Sequence, residues 1–201
     1  MKPLHRRGWL TRFRFAFVLL AAAGVAPSRA AEHQVSLPQQ AAGLFMQSCI
    51  RTLGHREQTE EFLTKAFGLQ LPKVAAPELQ RLQEGQPGGV GWWVPVRPLK
   101  APALVEYNQA GWCSVRIVGV EGELIQREIR TLLDGLVQCC AMKYQTLQDQ
   151  HLSWNGQPAR FAHYSLMLPT VLVTHVTVSS THSGAQPQLS IMNFVAPPPA
   201  G

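Results

Sequence analysis

The order of the predicted elements along the chain indicates an α+β fold, with helices packed on an antiparallel β-sheet of about five to seven strands. Three observations predict this class. Apolar residues recur at helical spacing in residues 41–67 and again in residues 123–137, and in most of the remaining segments they alternate with the period of two that is typical of strands. The sheet is therefore expected to pack against an N-terminal helical hairpin and one long amphipathic helix.

Two helices are predicted at the start of this region. Apolar residues of 41–53 form one stripe that includes Cys49, and Gly54 is a suitable C-terminal stop. The apolar residues of 62–67 follow three glutamates, which suit the positive N-terminal end of a second helix. The two helices together predict the helical hairpin.

The next segment, residues 72–91, is rich in Pro and Gly and is predicted to be a loop with one helical turn at 78–82. Residues 92–96 are predicted to be an edge strand, because Pro95 cannot donate a hydrogen bond to a sheet ladder. A β-hairpin is expected where residues 103–107 and 112–120 flank a short turn that ends in glycine.

The long helix follows, with its apolar stripe running from Leu124 to Val137. Asn155-Gly156 is a strong hairpin signal between the first two of the strands that come after it. An antiparallel meander is expected from four strand candidates, which are residues 142–147, 159–168, 171–181 and 188–196.

The first 30 residues have the pattern of a secretory signal peptide, with a basic start, about a dozen apolar residues and the small-residue site Ser28-Arg29-Ala30. Cleavage is expected after Ala30, and the Arg6-Arg7 pair leaves twin-arginine and general secretory export both open. We expect a single α+β domain over residues 31–196, followed by a disordered Pro-rich tail over 197–201.

The charge balance after the signal peptide excludes one class of partner. Removing its six basic residues from the 18 in the chain leaves 12, which equals the number of Asp and Glu residues, all beyond Ala30. A neutral chain without a basic stripe is not expected to bind nucleic acid. No later segment has the roughly 20 apolar residues of a membrane span. A periplasmic or secreted protein without a membrane anchor is predicted.

Four cysteines, Cys49, Cys113, Cys139 and Cys140, are expected to form disulfides in an oxidising compartment. A bond between the neighbours Cys139 and Cys140 would strain the intervening peptide, so geometry favours a bond from each to Cys49 or Cys113. A redox pair is the less favoured interpretation, because the two neighbours lie at the C-terminal end of a helix, where a thiolate is disfavoured.

Strand alternation places His163 and His175 on the same outer face of the sheet, directly opposed or on a diagonal. Two imidazoles that close could hold a metal ion, although polar residues at the rim of a binding groove are the simpler interpretation. The candidates to line such a groove are Phe161, Trp92 and Trp93. Trp112 and Trp154 are further candidates. No cofactor and no catalytic residue is predicted.

The signal peptide, the early helix with Phe45-Met-Gln-Ser-Cys49-Ile and the strand with Gly111-Trp-Cys-Ser-Val115 together resemble a family of small exported bacterial proteins of uncharacterised function. The resemblance covers residues 40–140. It implies a disulfide between Cys49 and Cys113, which leaves Cys139 and Cys140 over and conflicts with the geometric preference.

The leading hypothesis is therefore an exported, disulfide-stabilised, non-catalytic domain that binds a small ligand or an envelope protein through the outer face of its sheet. The alternative is a metal-dependent or thiol-dependent periplasmic enzyme that uses His163 and His175, or Cys139 and Cys140.

Overall fold

The computed structural model describes residues 35–67, 71–83, 88–97, 99, 101–108, 110–154, 156–170, 172–181 and 189–196. The predicted signal peptide, Asn155 of the hairpin signal and the predicted C-terminal tail lie outside these residues.

One sheet of seven antiparallel strands organises the fold and confirms the predicted α+β class. Its strand order is β1-β2-β3-β7-β6-β5-β4, so the β2–β3 hairpin joins the β4–β7 meander through the β3–β7 pair. The strands are β1 Val90–Val94, β2 Ala103–Tyr107, β3 Trp112–Val118, β4 Lys143–Trp154, β5 Gln157–Met167, β6 Val173–Thr181 and β7 Leu189–Val195.

The edge strand β4 is longer than predicted. It continues beyond 147 to Trp154, because its pairing with β5 resumes after a register shift between Thr146 and Gln148. A bulge of this kind bends a strand and increases its twist. On its other side, β5 pairs with β6 from Ala159 to Met167.

The described residues also form four α-helices: α1 Leu37–Phe45, α2 Arg56–Phe67, α3 Ala76–Leu82 and α4 Gly122–Cys140. A capping box between Ser36 and Gln39 begins α1, and a π-helical turn, Met46–Ile50, continues it. Gly54 has φ +69° after this turn, the left-handed conformation that commonly ends a helix. The predicted single turn at 78–82 is a complete short helix, α3.

The core lies between one face of the sheet, here called the inner face, and the helices α1 and α4. Phe45 of α1 and Ile129 and Leu133 of α4 are buried there against Tyr164 and Phe194 of the sheet. The start of α4 approaches β6 closely, since a Cβ at Gly122 would lie 2.9 Å from Ser180 Oγ. The opposite face of the sheet is here called the outer face.

Helix α3 covers the outer face at the β1–β2 end of the sheet. Leu79 of α3 packs there with Val74 and Leu104. The segment before α3 also pairs with β1, because Val74 N donates to Gly91 O at 2.9 Å and Trp93 N donates to Pro72 O at 3.0 Å. The free edge of β1 is thereby protected from pairing with another chain.

Charged side chains fix the β4–β5 hairpin to α4. Arg160 of β5 bonds Asp149 of β4, with Nε 2.8 Å from Oδ1, and it also contacts Glu123 of α4. The Arg160 guanidinium lowers the pKa of the Asp149 carboxyl. Tyr144 O–H donates to Asp134 of α4 at 2.6 Å, and this hydrogen bond raises the pKa of Tyr144 to about 12. Within the described part of the chain, no helix has the length and apolar character to cross a membrane.

Candidate ligand-binding groove

A polar groove of about 260 Å³ lies on the outer face of the sheet. Its floor comes from β2, β3, β7 and β6, the end of α3 borders it on one side, and tryptophans of β3 and β4 border it elsewhere. The lining residues are Gln83, Glu106, Asn108, Trp112, Ser114, Arg116, Trp154, Ser179, Ile191 and Asn193.

Glu106 is the buried acid of this groove. Alternation in β2 puts Leu104 and Glu106 on the outer face, where α3 packs on Leu104, and the Glu106 side chain is only 3% exposed. Arg116 of β3 donates from Nε to Glu106 Oε1 at 2.6 Å. The second oxygen, Oε2, is buried and has no hydrogen-bond partner.

Gln83 follows the last turn of α3 and is also buried, with 7% of its surface exposed. Neither Nε2 nor Oε1 of its amide has a partner. Five buried side-chain polar atoms in the described residues lack partners, and the three on Gln83 and Glu106 belong to this one groove. Buried polar groups in folded proteins are nearly always hydrogen-bonded, so this concentration makes the groove the candidate ligand site.

The floor of the groove, by contrast, is hydrogen-bonded within itself. Glu106, Ser114, Asn193, Thr177 and His163 form one cross-strand row through successive register pairs. Ser114 Oγ donates to Asn193 Oδ1 at 2.6 Å, and Asn193 Nδ2 donates to Thr177 Oγ1 at 3.1 Å. These bonds join the side chains of β3, β7 and β6 across the floor of the groove.

The histidine pair lies at the far end of this row. His163 is opposite Thr177 and His175 is opposite Ser165, so the two rings meet on a diagonal of the outer face, as predicted. His163 Nε2 and His175 Nδ1 are 3.0 Å apart. Burial, and then the neighbouring His175, lower the pKa of His163. Phe161 lies beside His163 with ring centroids 6.4 Å apart.

The structure does not bring Trp92 and Trp93 to the histidines. Trp92 is 2% exposed in the core on the inner face, and Trp93 packs with the apolar cluster under α3. Four strands separate β1 from β5, a distance of about 24 Å at the usual strand spacing. The other two tryptophans, Trp112 and Trp154, border the polar groove instead.

The cysteines form two disulfides. Cys49 of the π-helical turn is bonded to Cys113 of β3 in the core, which is the bond that the family resemblance implied. Cys139 is bonded to Cys140, here called the vicinal disulfide. The geometric preference for a bond from each neighbour to Cys49 or Cys113 is therefore wrong, because those two face each other in the core while the neighbours are exposed in the last turn of α4.

An apolar groove of about 690 Å³ runs between the π-helical turn and α4 and ends at the vicinal disulfide. Its walls include Met46, Ile50, Leu132 and Leu136. Unlike the polar groove, it contains no unpartnered buried polar side-chain atom among the described residues.

Sequence reasoning missed Glu106, Arg116 and Gln83. A signal for the first two was present, because the predicted hairpin pairs Glu106 with Ser114 and therefore puts Arg116 on the same face, on the diagonal. An acid in an otherwise apolar strand also indicates a paired group. Gln83 has no such signal, since its burial depends on how α3 docks on the outer face.

Comparison with known proteins adds little to this geometry. No protein-family model matches the sequence, and no curated protein matches it. Among solved structures, the chain is similar to the solution structure of cyanobacterial PsbP (CyanoP) from Synechocystis sp., with 13% identity and a TM-score of 0.39, over 63% of this chain and 80% of that chain. A likeness at this level carries no argument about function.

Proposed function

We propose that this chain is an exported, disulfide-stabilised, non-catalytic domain that binds a small polar ligand in the groove on the outer face of its sheet. The observation that carries the proposal is the pair of side chains Glu106 and Gln83, which both line one groove and together have three buried polar atoms without a hydrogen-bond partner. Export rests on the predicted signal peptide and agrees with the disulfide between Cys49 and Cys113.

The unpartnered atoms of Gln83 and Glu106 destabilise the free protein. A buried amide or carboxylate without a hydrogen bond costs about 1 to 3 kcal/mol, judged from mutational series. A ligand that supplies the missing partners removes this cost, which favours its binding. Preorganised groups of this kind are what a binding site requires.

The hydrogen bonds in the groove favour binding over catalysis. Ser114 Oγ donates to the amide oxygen of Asn193 and not to a base that could activate it. Arg116 donates to one oxygen of Glu106, which leaves the other oxygen, Oε2, as a possible acceptor for a hydrogen bond from a ligand.

The proposal is tested by a melting-temperature screen of the purified, oxidised protein against small polar compounds, with two tryptophan variants. Ser179→Trp places a large side chain in the groove, whereas Ser165→Trp adds the same side chain on the same face outside it. Both serines are half-buried strand residues, so they form a matched pair.

We expect at least one compound to raise the melting temperature of the wild type and of Ser165→Trp but not that of Ser179→Trp. A compound that stabilises Ser179→Trp as much as the wild type would place its site elsewhere. If no compound stabilises the wild type, the groove is not a small-ligand site.

A second candidate function is metal binding by His163 and His175, which the 3.0 Å distance between Nε2 and Nδ1 favours. Two imidazole nitrogens at this distance can both bind one ion at the usual distance of about 2.0 to 2.1 Å. Among the described residues, no group of three or more His, Cys, Asp or Glu side chains is placed so that it could hold a metal ion. Stoichiometric zinc or copper in the purified protein, lost in His163→Ala, would establish this role, and metal-free protein that takes up neither ion would remove it.

A further inference from the structure

We infer that the ligand of the outer-face groove is a single neutral ring that carries several hydroxyl groups, which is the chemistry of a monosaccharide. The inference rests on the proposed function and specifies its ligand class. Charge, hydrogen-bonding capacity and size each support it.

The charges of the groove are balanced before any ligand arrives. Its lining contains one acid and one base, Glu106 and Arg116, and these two are bonded to each other. A site for an ammonium ion or a carboxylate would present an excess of the opposite charge, since burial of an unpaired ion is costly. The groove has no such excess, which favours a neutral ligand.

The unpartnered atoms require both donors and acceptors from the ligand. Glu106 Oε2 can only accept, Gln83 Oε1 can only accept, and Gln83 Nε2 can only donate. A hydroxyl group both donates and accepts, so neighbouring hydroxyls on one ring satisfy all three atoms. An ether or ketone could not donate to Glu106, and an ammonium group could not accept from Gln83.

The size and rim of the groove fit one ring. Its volume, about 260 Å³, is below the roughly 300 to 1,000 Å³ that is usual for drug-sized ligands. Trp112, which is 42% exposed, and Trp154 lie along its border. Tryptophan presents a flat apolar face and an N–H donor, which suits a ring with C–H faces and a hydroxylated edge.

The test is a titration of the purified protein with matched hexoses, followed by intrinsic tryptophan fluorescence and by calorimetry. The neutral probes are D-glucose, D-galactose and D-mannose. The charged probes, glucosamine and glucuronate, keep the glucose ring and add an ammonium or a carboxylate group. We expect at least one neutral hexose to bind, the charged analogues to bind at least about tenfold more weakly, and added salt to change the neutral affinity little.

Two variants locate the binding. Glu106→Gln removes the charged acceptor and is expected to weaken binding of the neutral hexose by about tenfold or more. Gln83→Leu removes a donor and an acceptor without touching the ion pair, so it reports on the groove even if Glu106→Gln folds poorly. Unchanged affinity in Gln83→Leu would overturn the inference.

The outcomes separate the ligand class from the proposed function. If glucosamine or glucuronate binds more tightly than every neutral hexose, the class is wrong. If no hexose binds while another compound stabilises the wild type and not Ser179→Trp, the class is also wrong and the proposed function stands. If nothing binds at the groove, both fail.

Discussion

Replacing Gln83 by leucine should make the free protein more stable while removing its capacity to bind ligand. The Gln83 side chain is 7% exposed, and both polar atoms of its amide lack partners. A buried amide without hydrogen bonds costs about 1 to 3 kcal/mol, and leucine has a similar size without that cost. We therefore expect the free energy of unfolding to rise by about 1 to 3 kcal/mol in Gln83→Leu.

A matched control is available at Gln126, another buried glutamine. Its Nε2 donates to Val178 O at 3.0 Å and to Ser180 Oγ at 3.4 Å, while its buried Oε1 has no partner, so Gln126→Leu removes two hydrogen bonds and one unpartnered oxygen. Loss of the two bonds, at about 1 kcal/mol each, outweighs removal of the one unpartnered oxygen, at about 1 kcal/mol, so the free energy of unfolding should fall. The same substitution is thus expected to have opposite signs at the two sites.

The assay is urea denaturation of the oxidised proteins, followed by circular dichroism and tryptophan fluorescence. The midpoint and slope give the free energy of unfolding if the two signals coincide. If Gln83→Leu is as destabilising as Gln126→Leu, the Gln83 amide is structurally satisfied and the reasoning for an open site is refuted.

Three further predictions concern stability. Replacing Cys49 and Cys113 by alanine removes a link across 64 residues and should lower the free energy of unfolding by about 4 kcal/mol, measured by chemical denaturation. Removing the vicinal disulfide should lower it by less than about 1 kcal/mol. Equal losses would contradict this reasoning. Because the pKa of Asp149 is lowered in the folded state, the unfolded state binds the proton first as the pH falls. The free energy of unfolding should therefore fall as the pH drops below about 4, and it should fall less steeply in Asp149→Asn. The pKa of His163 is also lowered in the folded state, so stability should fall as the pH drops below about 6.5. The free energy of unfolding, measured by denaturation between pH 5 and pH 8, should depend less on pH in His163→Gln than in the wild type. Identical pH dependence in the two proteins would contradict this prediction.

Local patterns in the sequence were sufficient for most of the fold. The helical stripe from Leu124, the turn at Gly111 and the alternation in the C-terminal strands each depend on neighbouring residues, and each is present in the structure. Alternation also placed His163 and His175 together, because strand faces follow directly from the period of two.

What the sequence did not reveal depends on contacts between distant segments. Glu106 is paired with Arg116 and shares a groove with Gln83 from the end of α3, and Trp92 belongs to the core because β1 presents it to the inner face. The pairing of Cys139 with Cys140 likewise depends on how far α4 extends beyond the core. These features depend on how helices and strands that are distant in sequence pack on one another, which no local pattern encodes.

The central claim is that the outer-face groove holds a small ligand through Gln83 and Glu106. The most direct test is a ¹H–¹⁵N correlation spectrum of the protein recorded during titration with a compound that stabilises it. We predict that the side-chain amide signal of Gln83 moves most, together with the backbone amides of β2, β3 and β7. Shifts confined to the apolar groove between the π-helical turn and α4, with the Gln83 amide unmoved, would contradict the claim.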